Sequence, residues 1–348
     1  MNHGPSSPGS DLQGRCVFVV GNSRSGTTMM GRMLGANPSV YTLGEMHFFE
    51  QLWTTADKDR HLSEPEAVGL VARLLDIQRR GYLRKGDPGP FVREAEEVVA
   101  SARSGALTPA EAFKVFLSYE AARNDKTVPC DQTPRNVLYA KEILELYPGA
   151  RVVNMVRDPR DVLLSQKRKW KRRFLGAKGI PLREALRSWV NYHPITISKL
   201  WNASVSAATG VAGEDRVRSL RFEDLLADPD RTVREICDFV GVPFNAGMLA
   251  VPQVGSSSGR DHPGQAGVDP DKAGNWRRGG LSLTEVFLCQ RVTGRLMKSH
   301  GYAPVPVAPS PVRTIWSILS LPVKLALALL LNLGRVRNIR ETIKRRLM

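Results

Sequence analysis

Short apolar runs, separated by longer stretches with helical periodicity, set the rhythm of the chain. CVFVVG (16–21) is apolar without alternation and ends in glycine, which predicts a strand buried on both faces. TVPCD (127–131), RVVNMV (151–156) and RVRSLRF (216–222) are read as second, third and fourth strands. After the first strand, TTMMGRMLG spaces Met29, Met30, Met33 and Leu34 as one helical face and stops at Gly35. Further helices are expected at about 135–146, through DVLLSQKRKWKRR (161–173), on both sides of Pro194, in an amphipathic segment closed by Gly241, and at about 282–299. A short extended piece is expected around residues 41–43. Residues 53–127 read as mostly helical, broken at GDPGP (86–90) and SGALTP (104–109), with no strong strand. The Gly/Ser-rich stretch 252–280 reads as a mobile loop, and no internal repeat is evident.

Strands alternating with helices predict an α/β fold: three layers, P-loop-like, with a central parallel sheet and a helical insert at 53–127 that covers it. Ligands in such sheets sit beyond the carboxyl ends of the strands. GNSRSGTT (21–28) and RDPRD (157–161) each follow a strand directly, so both should open on one crevice. The expected organisation is a loose tail at 1–14, the folded domain at 15–304, and a hydrophobic and basic tail at 305–348. The N-terminus carries no apolar stretch before Cys16, which argues against a signal peptide there.

Composition changes this picture in one respect. Apolar content of 42% and charged content of 24% are ordinary, but a net charge of +16 calls for anionic partners. Four scattered cysteines, with no C-x-x-C pair, read as reduced core thiols rather than a metal site.

The loop after the first strand is a phosphate cradle of unusual type. Gly21 and Gly26 stand at P-loop spacing, but Thr27 occupies the Walker lysine position, with Thr28 after it. Backbone N–H groups around Ser25, Gly26, Thr27 and Thr28 can surround a phosphate. Without the lysine the loop suits a single 5′-phosphate better than a triphosphate. Arg24 adds a planar donor fork where charge develops. Arg157 at the third strand's end and Ser165 on the next helix, eight residues on, can converge on a second anion.

Strand-RSGTT-helix, followed by strand-RDPRDVLLSQ, resembles the 5′- and 3′-phosphate motifs of sulfotransferases that use 3′-phosphoadenylyl sulfate (PAPS). DQTPRNVLYAKEILELYPGARVV, RFEDLLADPDRTVREICDFVGVPF and NWRRGGLS are similar to later family segments, so the likeness covers about residues 16–302. Arginine in the loop resembles the bacterial, carbohydrate and tyrosyl-protein branches. The resemblance implies sulfuryl transfer from PAPS, without a metal, to a hydroxyl acceptor. It implies that Arg24 stabilises the transferring group and that Arg157 and Ser165 hold the 3′-phosphate. Glu45, 21 residues after Arg24, stands where the tyrosyl-protein enzymes carry their catalytic glutamate. Neighbouring Met46 and Phe48 would raise its pKa, and His47 is the rival base. Trp276 is a candidate either to stack near the adenine or to pack under the loop, and Arg277 to reach a phosphate. Two positions depart from the pattern: Gln132 stands where many relatives have lysine, and Phe222 where tyrosine is common.

KRKWKRR (167–173) reads as a solvated face or as an attractor for an acidic ligand; nucleic-acid binding is not expected, for lack of interleaved aromatics. From Arg313 onward eight basic residues face one acidic residue, and between 314 and 333 Lys324 alone is charged. This tail reads as a helix lying on an anionic membrane surface, against the alternative of a helix packed on the domain or a partner. The membrane reading would place the protein in the cytoplasm, peripheral on the inner membrane face, with a glycolipid, carbohydrate or amphiphilic alcohol as acceptor. The rival functions are a P-loop kinase, which the missing lysine opposes, and a non-catalytic basic module that binds membrane or nucleic acid.

Overall fold

An apolar run without alternation has no polar side to offer water, so it must be covered on both faces. The computed structural model describes residues 14–82, 86–102, 105–174, 181–253, 262–332 and 345. The N-terminal tail expected at 1–14, except residue 14, lies outside these, as do residues 254–261 of the expected loop and most of the basic terminus.

Strand β1 (Cys16–Gly21) leads into helix α1 (Thr27–Gly35) and β2 (Val40–Thr42). Helices α2 (Glu64–Arg80), α3 (Val92–Ala100) and α4 (Pro109–Arg123) form the insert. Then come β3 (Val128–Asp131), α5 (Ala140–Leu146), β4 (Ala150–Val156), α6 (Pro159–Arg168), α7 (Leu182–Val190), α8 (Pro194–Thr209) and β5 (Val217–Arg221). The chain continues through α9 (Phe222–Ala227), α10 (Pro229–Val240), β6 (Pro252–Gln253), β7 (His262–Ala266), α11 (Leu283–Ser299) and α12 (Pro311–Asn332).

The main sheet has five parallel strands in the order β2-β3-β1-β4-β5. Val17 pairs with Cys130 of β3 on one side and Arg151 of β4 on the other. The chain therefore builds one flank of β1, then crosses to build the other, and the switch point lies at the carboxyl end of β1. The two faces of β1 feed separate cores. Cys16, Phe18 and Val20 join Phe48, Phe49 and Phe113 beneath the insert. Val17 and Val19 join Met30, Met33 and Ile236 beneath α1 and α10. Each such fully buried side chain contributes about 1.5–3 kcal/mol, which makes β1 the best-anchored element under the crevice. The insert is helical as its pattern predicts; capping boxes at Ser63 and Thr108 start α2 and α4.

Two expectations need correction. The helix predicted through residue 173 ends at Arg168 and continues as a 3₁₀ segment, Lys169–Phe174. The stretch 252–280 is in part built rather than loose: β6 and β7 pair, and Asn275–Arg278 forms a 3₁₀ turn. The 275–278 turn is held by a tertiary tether, since Gly274 N–H and Trp276 N–H both donate to the Asp161 carboxylate at 2.8 Å. The four cysteines are buried and free, and burial pushes the thiols of Cys16, Cys130 and Cys289 up to about 12.

Candidate active site

The loop between β1 and α1 takes its shape from two glycines. Gly21 has φ +145°, and a Cβ there would lie 2.3 Å from the carbonyl oxygen of Met155. Gly26 has φ +95°, and its Cβ would lie 2.3 Å from the Phe222 ring. The first is thus needed for close approach to β4, the second for packing of α9 under the loop. Phe222, despite lacking a tyrosine hydroxyl, is the floor on which Gly26 rests, with the Arg157 guanidinium 4.5 Å from its ring centre. Arg24 occupies a left-handed conformation at φ +78°, costing a non-glycine residue about 1–2 kcal/mol.

That strained position aims Arg24 across the crevice, where its Nε donates to Ser165 Oγ at 2.9 Å. Arg157 Nη1 donates to the Arg24 carbonyl at 3.2 Å and its Nη2 to the Lys272 carbonyl at 2.6 Å. The two sequence motifs, 133 residues apart between Arg24 and Arg157, therefore meet in one place. Ser25 Oγ and Arg157 Nε are buried without a hydrogen-bond partner among the described residues. Unsatisfied buried donors beside a glycine loop are what an anionic group would complete. Thr27 is buried and Thr28 half-buried in the first turn of α1. The donor set thus fits a nucleotide bearing two separated phosphates.

Trp276 is brought to the same region by Asp161, but its ring packs with Leu164 and Val286, with the Arg160 and Arg277 guanidiniums 4.1 and 4.7 Å from the ring centre. Arg277 itself is exposed. Burial raises the Asp161 carboxyl to about 6, against the lowering effect of Arg157 and the Trp276 N–H.

On the other side of the crevice Glu45 and His47 form one unit rather than two rivals. His47 Nε2 lies 3.2 Å from Glu45 Oε2, and Nδ1 lies 3.3 Å from Glu50 Oε2. Glu50 in turn accepts from Arg135 at 2.6 Å. Met46 N–H donates to Thr133 Oγ1, which itself donates to the buried Asp131, so the strand-end loop of β3 holds this turn in place. Burial works against the charge on His47, but the flanking Glu45 and Glu50 outweigh it and raise its pKa. Burial likewise pushes Glu45 up, yet the hydrogen bond and charge of His47, with Lys169 and Arg135, bring it below its ordinary value. The expectation that apolar neighbours raise Glu45 is therefore reversed: an adjacent imidazole and two cations outweigh Met46 and Phe48. The proton on this pair belongs to both residues.

Glu50, Arg135, Asp161 and Lys169 were not singled out by the sequence reading. Lys169 opens the 3₁₀ segment four residues after Ser165, one helical turn on and so on the Arg24 side of α6. Burial and the Arg24 charge lower its pKa to about 8, while Glu45 pulls it upward. Gln132, in the position of a family lysine, packs instead over Gly31 of α1. Among the described residues no group of three His, Cys, Asp or Glu could hold a metal.

A family model described as "Sulfotransferase family" matches residues 16–246. The chain belongs to the sulfotransferase family. It is 26% identical to human carbohydrate sulfotransferase 5 over 87% of this chain and 81% of that one. It is 24% identical to the Drosophila melanogaster protein-tyrosine sulfotransferase, over 67% of this chain and 39% of that one. Among solved structures it is similar to the sulfotransferase domain of the Synechococcus PCC 7002 olefin synthase, with TM-score 0.46, 21% identity and coverage of 80% and 94%. It is also similar to retinol dehydratase, solved with retinol and PAP, with TM-score 0.39, 16% identity and 82% coverage of each chain. The α/β fold stands here on its own strand order and register.

Proposed function

We propose that this sulfotransferase moves the sulfuryl group of PAPS to a hydroxyl acceptor and releases adenosine 3′,5′-bisphosphate (PAP). The observation that carries the reading is the 2.9 Å contact between Arg24 and Ser165, which joins the two anion-binding motifs into one site. PAPS supplies an activated sulfuryl group. The bond from sulfur to the bridging phosphate oxygen breaks as a bond from the acceptor oxygen forms, so the reaction places negative charge on the departing phosphate. Arg24 and the N–H groups of residues 26–28 are positioned to stabilise that charge. Arg157, Ser165 and Ser25 Oγ bind and orient the phosphates.

The acceptor loses its hydroxyl proton to the Glu45–His47 pair. At neutral pH Glu45 is ionised and accepts; His47, held by Glu50, fixes its direction and shares the proton. Lys169 brings a positive charge to the same edge, the place that Gln132 leaves without one. The sugar-directed name of the human relative supports a carbohydrate hydroxyl among the acceptors.

Calorimetric titration of PAP against ATP with Mg²⁺, on the wild type and Arg157→Ala, tests the reading. We expect metal-independent PAP binding that weakens about 10- to 150-fold in the variant, the loss of charge-assisted hydrogen bonds worth about 1.5–3 kcal/mol. Preference for ATP with Mg²⁺, or no binding of either nucleotide by the folded protein, would overturn it and favour a kinase or a non-catalytic role.

A further inference from the structure

Helix α12 is built the wrong way round for water. Its polar contacts with the domain run along one stripe: the Ser317 carbonyl lies 2.9 Å from His193 Nε2, Lys324 sits 4.1 Å from the Trp189 ring centre, the Leu331 carbonyl accepts from Arg187, and Asn332 donates to Asn191. These contacts are polar or cationic. Leu321 and Ala328 are half-buried on that side, but most apolar residues point elsewhere, and none of the helix is buried; Trp316, Leu319 and Leu330 are each more than 60% exposed. A surface helix in water shows the opposite arrangement.

The neighbouring α7 repeats the pattern. Ala185 and Val190 anchor it in the domain, while Leu182, Leu186 and Trp189 are exposed at 65%, 55% and 53%. Two adjacent helices thus present one continuous apolar face, larger than scattered surface hydrophobics account for.

We infer that the α7–α12 face docks on an anionic lipid bilayer, with both helices lying in its interface. Three observations choose lipid over a second copy of the chain. Helix α12 spans 22 residues and is long and apolar enough for acyl chains to surround it. Its charged residues, Arg313 and Lys324, are both basic, and five further basic residues against one acidic follow it in the chain, besides Arg345, which pairs with Glu142. Two copies meeting through this face would bring the same cations together, whereas anionic headgroups neutralise them. Lying flat follows from the contacts that tie α12 between residues 317 and 332 to α7 and to Asn191 and His193 after it, which a crossing helix would have to break.

The face is close to the chemistry. Helix α7 packs on the 3₁₀ segment that begins at Lys169, beside Arg24 and Glu45. If the sulfuryl-transfer reading holds, on which this consequence rests, the acceptor hydroxyl, a carbohydrate one included, is carried by an amphiphile drawn from the bilayer.

The test is flotation of the full chain with vesicles of phosphatidylcholine alone and with about 30% phosphatidylglycerol, with PAP affinity and melting temperature measured alongside. Wild type should float with the anionic vesicles, and brominated acyl chains should quench its tryptophan fluorescence, less so in Trp189→Phe. Leu186→Asp/Trp189→Asp should lose at least about tenfold in vesicle affinity, since burial of even one such side chain accounts for that factor. Its PAP affinity should stay unchanged. Failure of the wild type to float while PAP binding is intact would overturn the docking proposal alone. Flotation unaffected by the α7 variant, or concentration-dependent dimerisation in place of flotation, would overturn it equally. Loss of PAP binding in the wild type strikes the functional reading and leaves docking to be judged by flotation.

Discussion

Glu50→Gln keeps the shape of the side chain and removes one of the two charges that flank His47. The Glu50 side chain is 5% exposed and that of His47 6%, so their 3.3 Å contact is poorly screened. A buried hydrogen bond to a charged group contributes about 1.5–3 kcal/mol. The Arg135 arm, with Arg135 46% exposed, adds less than about 1 kcal/mol. The variant should therefore lose about 2–3 kcal/mol, a fall in melting temperature of about 3–5 °C for a domain of this size. The loss has a pH signature. Because the folded-state pKa of His47 is raised, its stabilisation is fully present below the unfolded value of 6.5 and disappears as pH climbs through the folded value. The gap between wild type and variant should be widest near pH 6 and narrow toward pH 9, measured by thermal denaturation in matched ionic strength. A gap that is constant or grows with pH would refute the Glu45–His47–Glu50 coupling, even if the variant were destabilised.

Gly26→Ala forces a side chain into a φ of +95° and into the Phe222 ring, so a loss of about 2–4 kcal/mol is expected, read as a lower melting temperature; a shift below about 1 °C would mean the loop is not held as described. Lys169→Met should lower kcat about 10²–10³-fold with PAP affinity within a few-fold, on the scale of other charge-stabilising groups. Since Lys169 is charged below about 8, wild-type activity should fall on the alkaline side of that value and the variant should lack that limb. Adding Gln132→Lys should restore part of the rate, and equal activity of Lys169→Met and wild type would remove Lys169 from the mechanism.

Much of the architecture is local in origin and could be read along the chain. β1 announces itself by six consecutive residues without a charged side chain, and the phosphate loop by Gly21 and Gly26, because a tight turn and a close approach need glycine wherever they occur. The Arg157–Ser165 spacing follows from helical rise alone. Even the apolar tail was legible from composition. What the sequence concealed was pairing at a distance. Asp161 looks like one more first-turn acid until α6 sets it under the N–H groups of residues 274 and 276, turning an expected loose loop into a built one. Lys169 belongs to a run that reads as a solvated face, and lands in the crevice because Ser165, one helical turn before it, is held against Arg24 there. The sign of the Glu45 shift was beyond sequence reading for the same reason. Neighbours in the chain suggested an apolar pocket, whereas the neighbours in space are an imidazole and two cations. Strand, loop and helix depend on residue types within a few positions of each other. Proton affinities and the tethering of loops depend on which charges the fold brings within a few ångströms, and that is decided by the tertiary structure.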